Sequence, residues 1–222
     1  MSDLTLVIGN KNYSSWSLRP WLFLKHHDID FKEKRIPLFI ESTASQLEEY
    51  HSDYKVPVLK DSDLVVWDSL SILEYVSEMY LDGRGWPDEP EVRSVARSVS
   101  SEMHSSYFNV RSEMPMNCRK QIKGITLSHE AENEIGRITS LWRTCRTGYG
   151  EGGEWLFGDF SIADAMFAPV VLRFNSYSVP LSGIEAEYAQ SVLNHPSIIE
   201  WVEAGKQETE VIEENEIDTH SD

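Results

Sequence analysis

The residues on either side of Gly83-Arg84-Gly85-Trp86-Pro87 follow different patterns, and that change constrains the fold more than any other feature of the chain. Upstream, short β-branched and apolar runs alternate with helical spacings; downstream, only helical spacings occur. Leu4 to Ile8 and Phe31 to Ile36 read as strands, with a helix carrying Trp21, Leu22 and Leu24 between them. Pro20 is expected in the first turn of that helix, where a missing N–H has no partner to lose. A helical crossover returns the chain to the same edge in the same direction, so the β-α-β start predicts parallel strands. A polar helical stretch around Ser42 to Tyr50 leads to a hairpin: Lys55-Val56-Pro57-Val58-Leu59, a turn at Asp61-Ser62-Asp63, then Leu64 to Trp67. From Ser69 the apolar positions Leu70, Leu73, Val76 and Met79 repeat at helical spacing as far as Asp82-Gly83.

Beyond the break, Val92, Val95, Val99, Met103 and Tyr107 mark one helix, and Ile135, Ile138, Leu141 and Cys145 another. Ser161-Ile162-Ala163-Asp164 opens a third with a capping box in which Asp replaces the usual Glu, and Pro169 predicts a kink within it. His195-Pro196-Ser197 starts a last helix with Ile198, Ile199 and Val202. The expected class is α/β plus all-α: an N-terminal β-α-β-α-β-β-α domain over residues 1–82, a linker at 83–90, and an all-helical bundle over 91–206. Residues 207–222 carry seven acids and no Lys or Arg, and are expected as a frayed helix or solvated acidic tail.

Twenty Lys and Arg against 37 Asp and Glu give a formal charge of −17, which repels polyanions and argues against nucleic-acid or anionic-membrane partners. The longest uncharged apolar run, Ala165 to Leu172, is far short of the ~20 residues of a membrane helix, and the first residues lack a basic segment followed by an apolar one. A cytoplasmic protein is expected. Cys118 and Cys145 form no C-x-x-C and have no clustered His, so reduced structural thiols and no metal are expected. His26-His27 reads as helix-end solvation or capping.

Three places can carry chemistry. The loop Asn12-Tyr13-Ser14-Ser15-Trp16-Ser17 joins the first strand to the first helix, at the strand end where open α/β sheets bind ligands and where a helix N-terminus favours an anion or thiolate. No G-x-S-x-G is present, so a serine there is a hydrogen-bond donor rather than a hydrolase nucleophile. Val56-Pro57 places proline at the start of a sheet strand, either as an edge residue or as a cis peptide turning the Val56 backbone toward a ligand. Asp68-Ser69 sets a carboxylate and a hydroxyl at a strand-to-helix junction, where a simple N-cap is the plainer alternative.

Together these segments resemble the glutathione transferase family, with a thioredoxin-like N-terminal domain and a helical second domain bearing Ser161 to Asp164 and His195-Pro196 before Trp201. The likeness spans about residues 4 to 205, and the serine loop is most similar to the zeta, or maleylacetoacetate isomerase-like, branch. That branch reads S-S-C-S in the loop; here Trp16 takes the cysteine place and Asp68 stands where Gln is usual. The resemblance implies glutathione as co-substrate, with Ser14 as the first choice, and Ser15 the second, for the hydroxyl that donates to its sulfur. It further implies that the Val56 backbone beside a cis Pro57 pairs with the cysteinyl part, that Asp68 and Ser69 hold the γ-glutamyl amine and carboxylate, and that Lys55 either meets the glycine-end carboxylate or faces solvent. Arg19 is placed to add positive potential, with a surface role as the alternative. The implied activity is attack of the thiolate on a small hydrophobic electrophile, as in detoxification, by a homodimer. Glutathione-dependent isomerisation, reductive cleavage and a non-catalytic binding module are the alternatives. Met103, Tyr107 and Arg111, with Phe108, are the candidate walls of the second-substrate site, with core packing as the alternative that their helical spacing offers.

Overall fold

A computed structural model describes residues 4–50 and 52–217. Its strands β1 (Leu4–Ile8), β2 (Lys32–Arg35), β3 (Val58–Asp61) and β4 (Leu64–Trp67) form one sheet in the order β2-β1-β3-β4. β2 runs parallel to β1, as the crossover helix requires, and β3 and β4 run antiparallel. Alternation along β1 divides its side chains between two faces: Leu4, Leu6 and Ile8 enter the main core, and Val7 joins Ile36, Leu47, Tyr50 and Val58 in a smaller one. The hairpin turn is two residues rather than the expected three, because Asp61 already pairs with Leu64 and Ser62 turns the chain at φ 54°.

The first crossover is α1 (Ser15–His26); a short α2 (Thr43–Leu47) follows β2, and α3 (Ser69–Tyr80) closes the α/β half. Then come α4 (Pro90–Ser105), α5 (Phe108–Glu113), α6 (His129–Tyr149), α7 (Ile162–Ser176), α8 (Gly183–Asn194) and α9 (Pro196–Gln207). Among the described residues no strand follows β4. This is the thioredoxin-like domain followed by a helical one that the sequence leads one to expect. No described helix is long and apolar enough to cross a membrane.

Two helix expectations change. Pro20 lies well inside α1, because Ser14 caps the helix six residues earlier than proline would have started it. The helix of Val92 to Tyr107 is broken at Tyr107, whose φ of 64° ends α4 and starts α5 in a new direction. The Ser161 to Asp164 capping box forms, and α7, nearly all buried, runs beneath α1 as the centre of the molecule.

His26 and His27 are packed rather than solvated. His26 stacks on Phe160 at 3.9 Å between centroids, and its Nδ1 lies 2.9 Å from His195 Nε2. His195 Nδ1 accepts from the Ser197 N–H at 3.1 Å, so its proton sits on Nε2 and is donated to His26. Both rings are therefore neutral, and burial holds His26 down to about 4 and lowers His195. Because the folded values lie below the unfolded one, this stabilisation is complete above about pH 6.5 and is lost as the pH falls toward 4. Thermal melts between pH 7.5 and 4.5 are expected to show a loss of about 2 kcal/mol, after discounting for solvent that still reaches the pair, and a smaller loss in His26→Phe. An equal loss in both proteins would assign it elsewhere.

Candidate active site

The segment between β1 and α1 is neither helix nor strand, so its backbone groups are held by local turns, with the Tyr13 and Ser14 N–H groups donating to the Asn10 carbonyl at 3.2 and 2.8 Å, and by side chains. The Gly9 N–H donates to Ser17 Oγ (3.1 Å) and the Leu38 N–H to Asn10 Oδ1 (2.8 Å). Asn12 donates to Asn117 Oδ1 at 3.1 Å and accepts from the Arg119 N–H at 3.0 Å. Glu208, just past α9, accepts from the N–H groups of Lys11 and Asn12 at 2.8 and 3.0 Å. Behind them α9 approaches so closely that a Cβ on Gly205 would stand 3.1 Å from the Asn12 nitrogen. The helical half thus clamps the loop that carries the serines.

This corrects the expectation of a solvated tail. Residues 208–217 lie along the loop: Arg119 donates to the carbonyls of Glu208 and Glu210 (2.7 and 3.0 Å), Arg35 pairs with Glu210 (2.7 Å), and Lys120 with Glu216 (2.6 Å). The acids are drawn in by cations and amide groups that would otherwise face water or nothing, and Ile212 is buried beneath them. Residues 218–222 of that expected tail lie outside the described residues.

Two cavities meet at Trp16, Lys55 and Val56. One, of about 510 Å³, is lined by Ser52, Pro57, Trp67, Asp68, Ser69 and His104. The other, of about 580 Å³, has Ser14, Ser15, Arg111 and Arg173 on one side and Leu38, Phe39, Ile40, Met116 and Ile212 on the other. The Val56–Pro57 peptide bond is cis, as expected for one of the two alternatives.

The serines are not equivalent. Ser14 caps α1: its oxygen accepts from the Ser17 N–H at 3.4 Å, and its proton goes to Ser17 Oγ at 2.8 Å. Ser15 begins the helix, its oxygen accepts from Arg173 Nη2 at 3.3 Å, and it donates to no described group. A hydroxyl polarised by a guanidinium, with its proton unengaged at a helix N-terminus, is suited to hold an anion.

Asp68 has a backbone (φ 73°, ψ 133°) that non-glycine residues adopt only at a cost of about 1–3 kcal/mol. It is held there as the cap of α3, where Oδ1 accepts from the N–H groups of Leu70 and Ser71 at 3.0 and 3.2 Å. Ser69 Oγ accepts from Arg19 Nη1 at 3.1 Å. Arg19 is buried rather than on the surface, and the Trp16 ring lies between its guanidinium at 4.3 Å and that of Arg111 at 4.8 Å. Burial, then Arg111 and Arg173, pull Arg19 well below its ordinary value; burial and Arg111 bring Arg173 down to about 9. Among the described residues no carboxylate lies within ion-pair distance of Arg19, Arg111 or Arg173. Three guanidiniums without a counter-ion make this a site that an anion relieves.

Of the other candidates, Arg111 lines the larger cavity while donating to the carbonyls of Ser106 (2.9 Å) and Met103. Met103 and Tyr107 do not line it: both are core residues, because the break at Tyr107 turns its ring inward to meet Glu102. Phe108 is 70 % exposed. Lys55 is an exposed residue at the rim, paired with Asp53 at 2.9 Å. Sequence reasoning missed Arg173, His104 and Glu208. Arg173 alone had a signal, as a lone charge at the end of the apolar run of α7. The described residues contain no cluster of three His, Cys, Asp or Glu able to hold a metal ion.

Residues 13–79 match the family model of the glutathione S-transferase N-terminal domain. The chain is 27 % identical over 172 residues to a probable maleylacetoacetate isomerase of Caenorhabditis elegans, covering 76 % of this chain and 77 % of that one. It is 28 % identical over 182 residues to the maleylacetoacetate isomerase of Rattus norvegicus, covering 76 % of each. A Burkholderia glutathione transferase homologue solved with bound glutathione superposes with a TM-score of 0.69 at 21 % identity, covering 92 % of this chain and 99 % of that one. A diazinon-metabolizing glutathione S-transferase of Bombyx mori superposes at 0.70 and 16 % identity, covering 92 % and 98 %.

Proposed function

Because the chain belongs to the glutathione S-transferase family, near its maleylacetoacetate isomerase members, we propose that it binds glutathione and directs the thiolate against a small electrophile. The observation that carries this reading is Ser15, whose unengaged hydroxyl proton lies at the N-terminus of α1 on the wall of the larger cavity, next in the chain to Trp16, where the two cavities meet. The smaller cavity takes the peptide: Asp68 the γ-glutamyl ammonium, Ser69 its carboxylate, the Val56 backbone the cysteinyl unit, and Lys55 the far carboxylate. The sulfur then falls at the start of α1, within reach of Ser15, or of Ser14 if its bond to Ser17 breaks.

A cysteine-like thiol of pKa ~8.5 is only a few per cent thiolate at pH 7, and lowering that value by about two units needs roughly 2.7 kcal/mol of differential stabilisation. One charge-assisted donor, the helix terminus and the nearby guanidiniums together can supply it.

The electrophile binds in the larger cavity. Leu38, Ile40, Met116 and Ile212 suit an apolar body, while Arg111 and Arg173 suit an anionic group upon it. That second feature favours glutathione-dependent isomerisation of an unsaturated carboxylate alongside conjugation. Product analysis separates them, since conjugation consumes glutathione and isomerisation returns it. In either case a carboxylate-bearing electrophile is expected to show a lower KM than its methyl ester, and Arg111→Met to shrink that preference by roughly tenfold. No preference in the parent enzyme would remove the anionic group from the proposal. The homodimer belongs to the same reading and is supported by uncovered apolar residues at the open sheet edge and on α3, namely Leu64, Trp67 and Met79.

A further inference from the structure

His104, on α4, closes the inner end of the smaller cavity, with Nε2 at 3.1 Å from Asp68 Oδ2 and its ring edge-on to Trp16 at 5.4 Å between centroids. Asp68 Oδ1 is already engaged by two backbone N–H groups, so Oδ2 is the oxygen left for a ligand, and among the described residues His104 is the side chain that comes close to it. At 3.1 Å from Oδ2 a neutral imidazole faces the carboxylate without offsetting it, and leaves the full negative charge on the carboxylate. The other nitrogen, Nδ1, is buried and has no partner. Unprotonated, it leaves only a lone pair unmet; protonated, it would bury an unpaired N–H bearing charge.

Resting on the glutathione reading above, we propose that His104 is a positioning residue whose neutral ring leaves the charge of Asp68 to face the γ-glutamyl ammonium, and that a proton taken up by His104 abolishes this recognition. The groups facing the imidazole are Asp68 at the start of α3, Arg19 and Trp16 from α1, and Arg111 from α5; across the cavity Asp53 and Lys55 pair with each other. Burial lowers the histidine and Arg19 and Arg111 act with it, against the opposing pull of Asp68, so the neutral form prevails at pH 7. In acid the imidazolium cancels the carboxylate, and the arriving ammonium meets a neutral pair instead of an anion.

The test is the ratio of glutathione dissociation constants at pH 5.5 and 7.5, read by calorimetry. The full chain is expected to bind severalfold more weakly at pH 5.5, short of the roughly tenfold that proton uptake at the ordinary histidine value of about 6.5 would give. In His104→Gln the ratio is expected to fall near one, and N-acetylglutathione, which lacks the ammonium, should show a ratio near one on the unaltered chain. A ratio near one in the unaltered chain, an undiminished ratio in His104→Gln, or the same ratio with N-acetylglutathione would overturn the proposal while leaving glutathione binding intact. Absence of glutathione binding at pH 7.5 would instead remove the functional reading, and this proposal with it. Should His104→Gln fail to fold, the His104 ring-proton resonance of the free protein gives the same answer: Asp68→Asn must lower the pH at which it titrates, and an unmoved titration rejects the coupling.

Discussion

Replacing Ser15 by alanine is expected to lower kcat/KM for glutathione-dependent turnover by ten- to a hundredfold, whereas Ser14→Ala should act mainly on stability. The difference follows from what each hydroxyl already does. Ser15 accepts from Arg173 and has its proton to give, so its loss removes a donor aimed at developing or resident negative charge on sulfur. That loss should raise the bound thiol's pKa, which the ultraviolet absorbance of the thiolate reports as a function of pH. Ser14 caps α1 and donates to Ser17, so alanine there removes an N-cap at about 1 kcal/mol, visible in a denaturation curve. If Ser14→Ala raised the thiol pKa and Ser15→Ala did not, the two roles would be exchanged.

Asp164→Ala is expected to cost about 4 kcal/mol, the largest stability loss of any single substitution considered, and to lower Tm by roughly 8–16 °C. Asp164 is fully buried and accepts from the N–H groups of Leu156 (3.0 Å) and Ser161 (2.9 Å) and from Ser161 Oγ (3.0 Å). Alanine leaves all three donors without a partner at the start of the central helix. Burial outweighs these bonds and raises the carboxyl to about 6. A folded value above the unfolded one means that its protonated form favours folding: the contribution is complete below about pH 3.8 and is lost as the pH rises through 6. Asp164→Asn, a neutral stand-in that keeps one acceptor oxygen, is therefore expected to lose less than the alanine variant at pH 7. Urea denaturation at pH 7 ranks the three proteins, and equal stability of Asp164→Ala and the parent would show that the capping box contributes nothing.

The parts of this fold written in short-range pattern were legible in the sequence. A short β-branched and apolar run marked β1, the crossover marked the parallel pair, and Ser161 with Asp164 announced the start of α7. Asp68 and Pro57 were likewise legible, because a cap and a proline at a strand start are local facts. What escaped depends on contacts far apart in the chain. Met103 continues the buried stripe of Ala96 and Val99 on α4, and the left-handed turn at Tyr107 starts α5 in a direction that leaves Arg111 to face the cavity. Glu208 reads as one more acid in an acidic tail until its carboxylate is seen on the Lys11 and Asn12 amides, nearly two hundred residues away. His104 has no pattern at all; only the packing of α4 against the α3 cap brings it to Asp68.

Calorimetric titration of the full chain with reduced glutathione at pH 7.5, alongside Asp68→Ala, tests the central claim most directly. Saturable binding at one site per chain is predicted, in the micromolar to millimolar range and weakened at least tenfold by the substitution. No heat together with no thermal stabilisation would contradict it, leaving a transferase-like fold that serves as a binding module for some other partner.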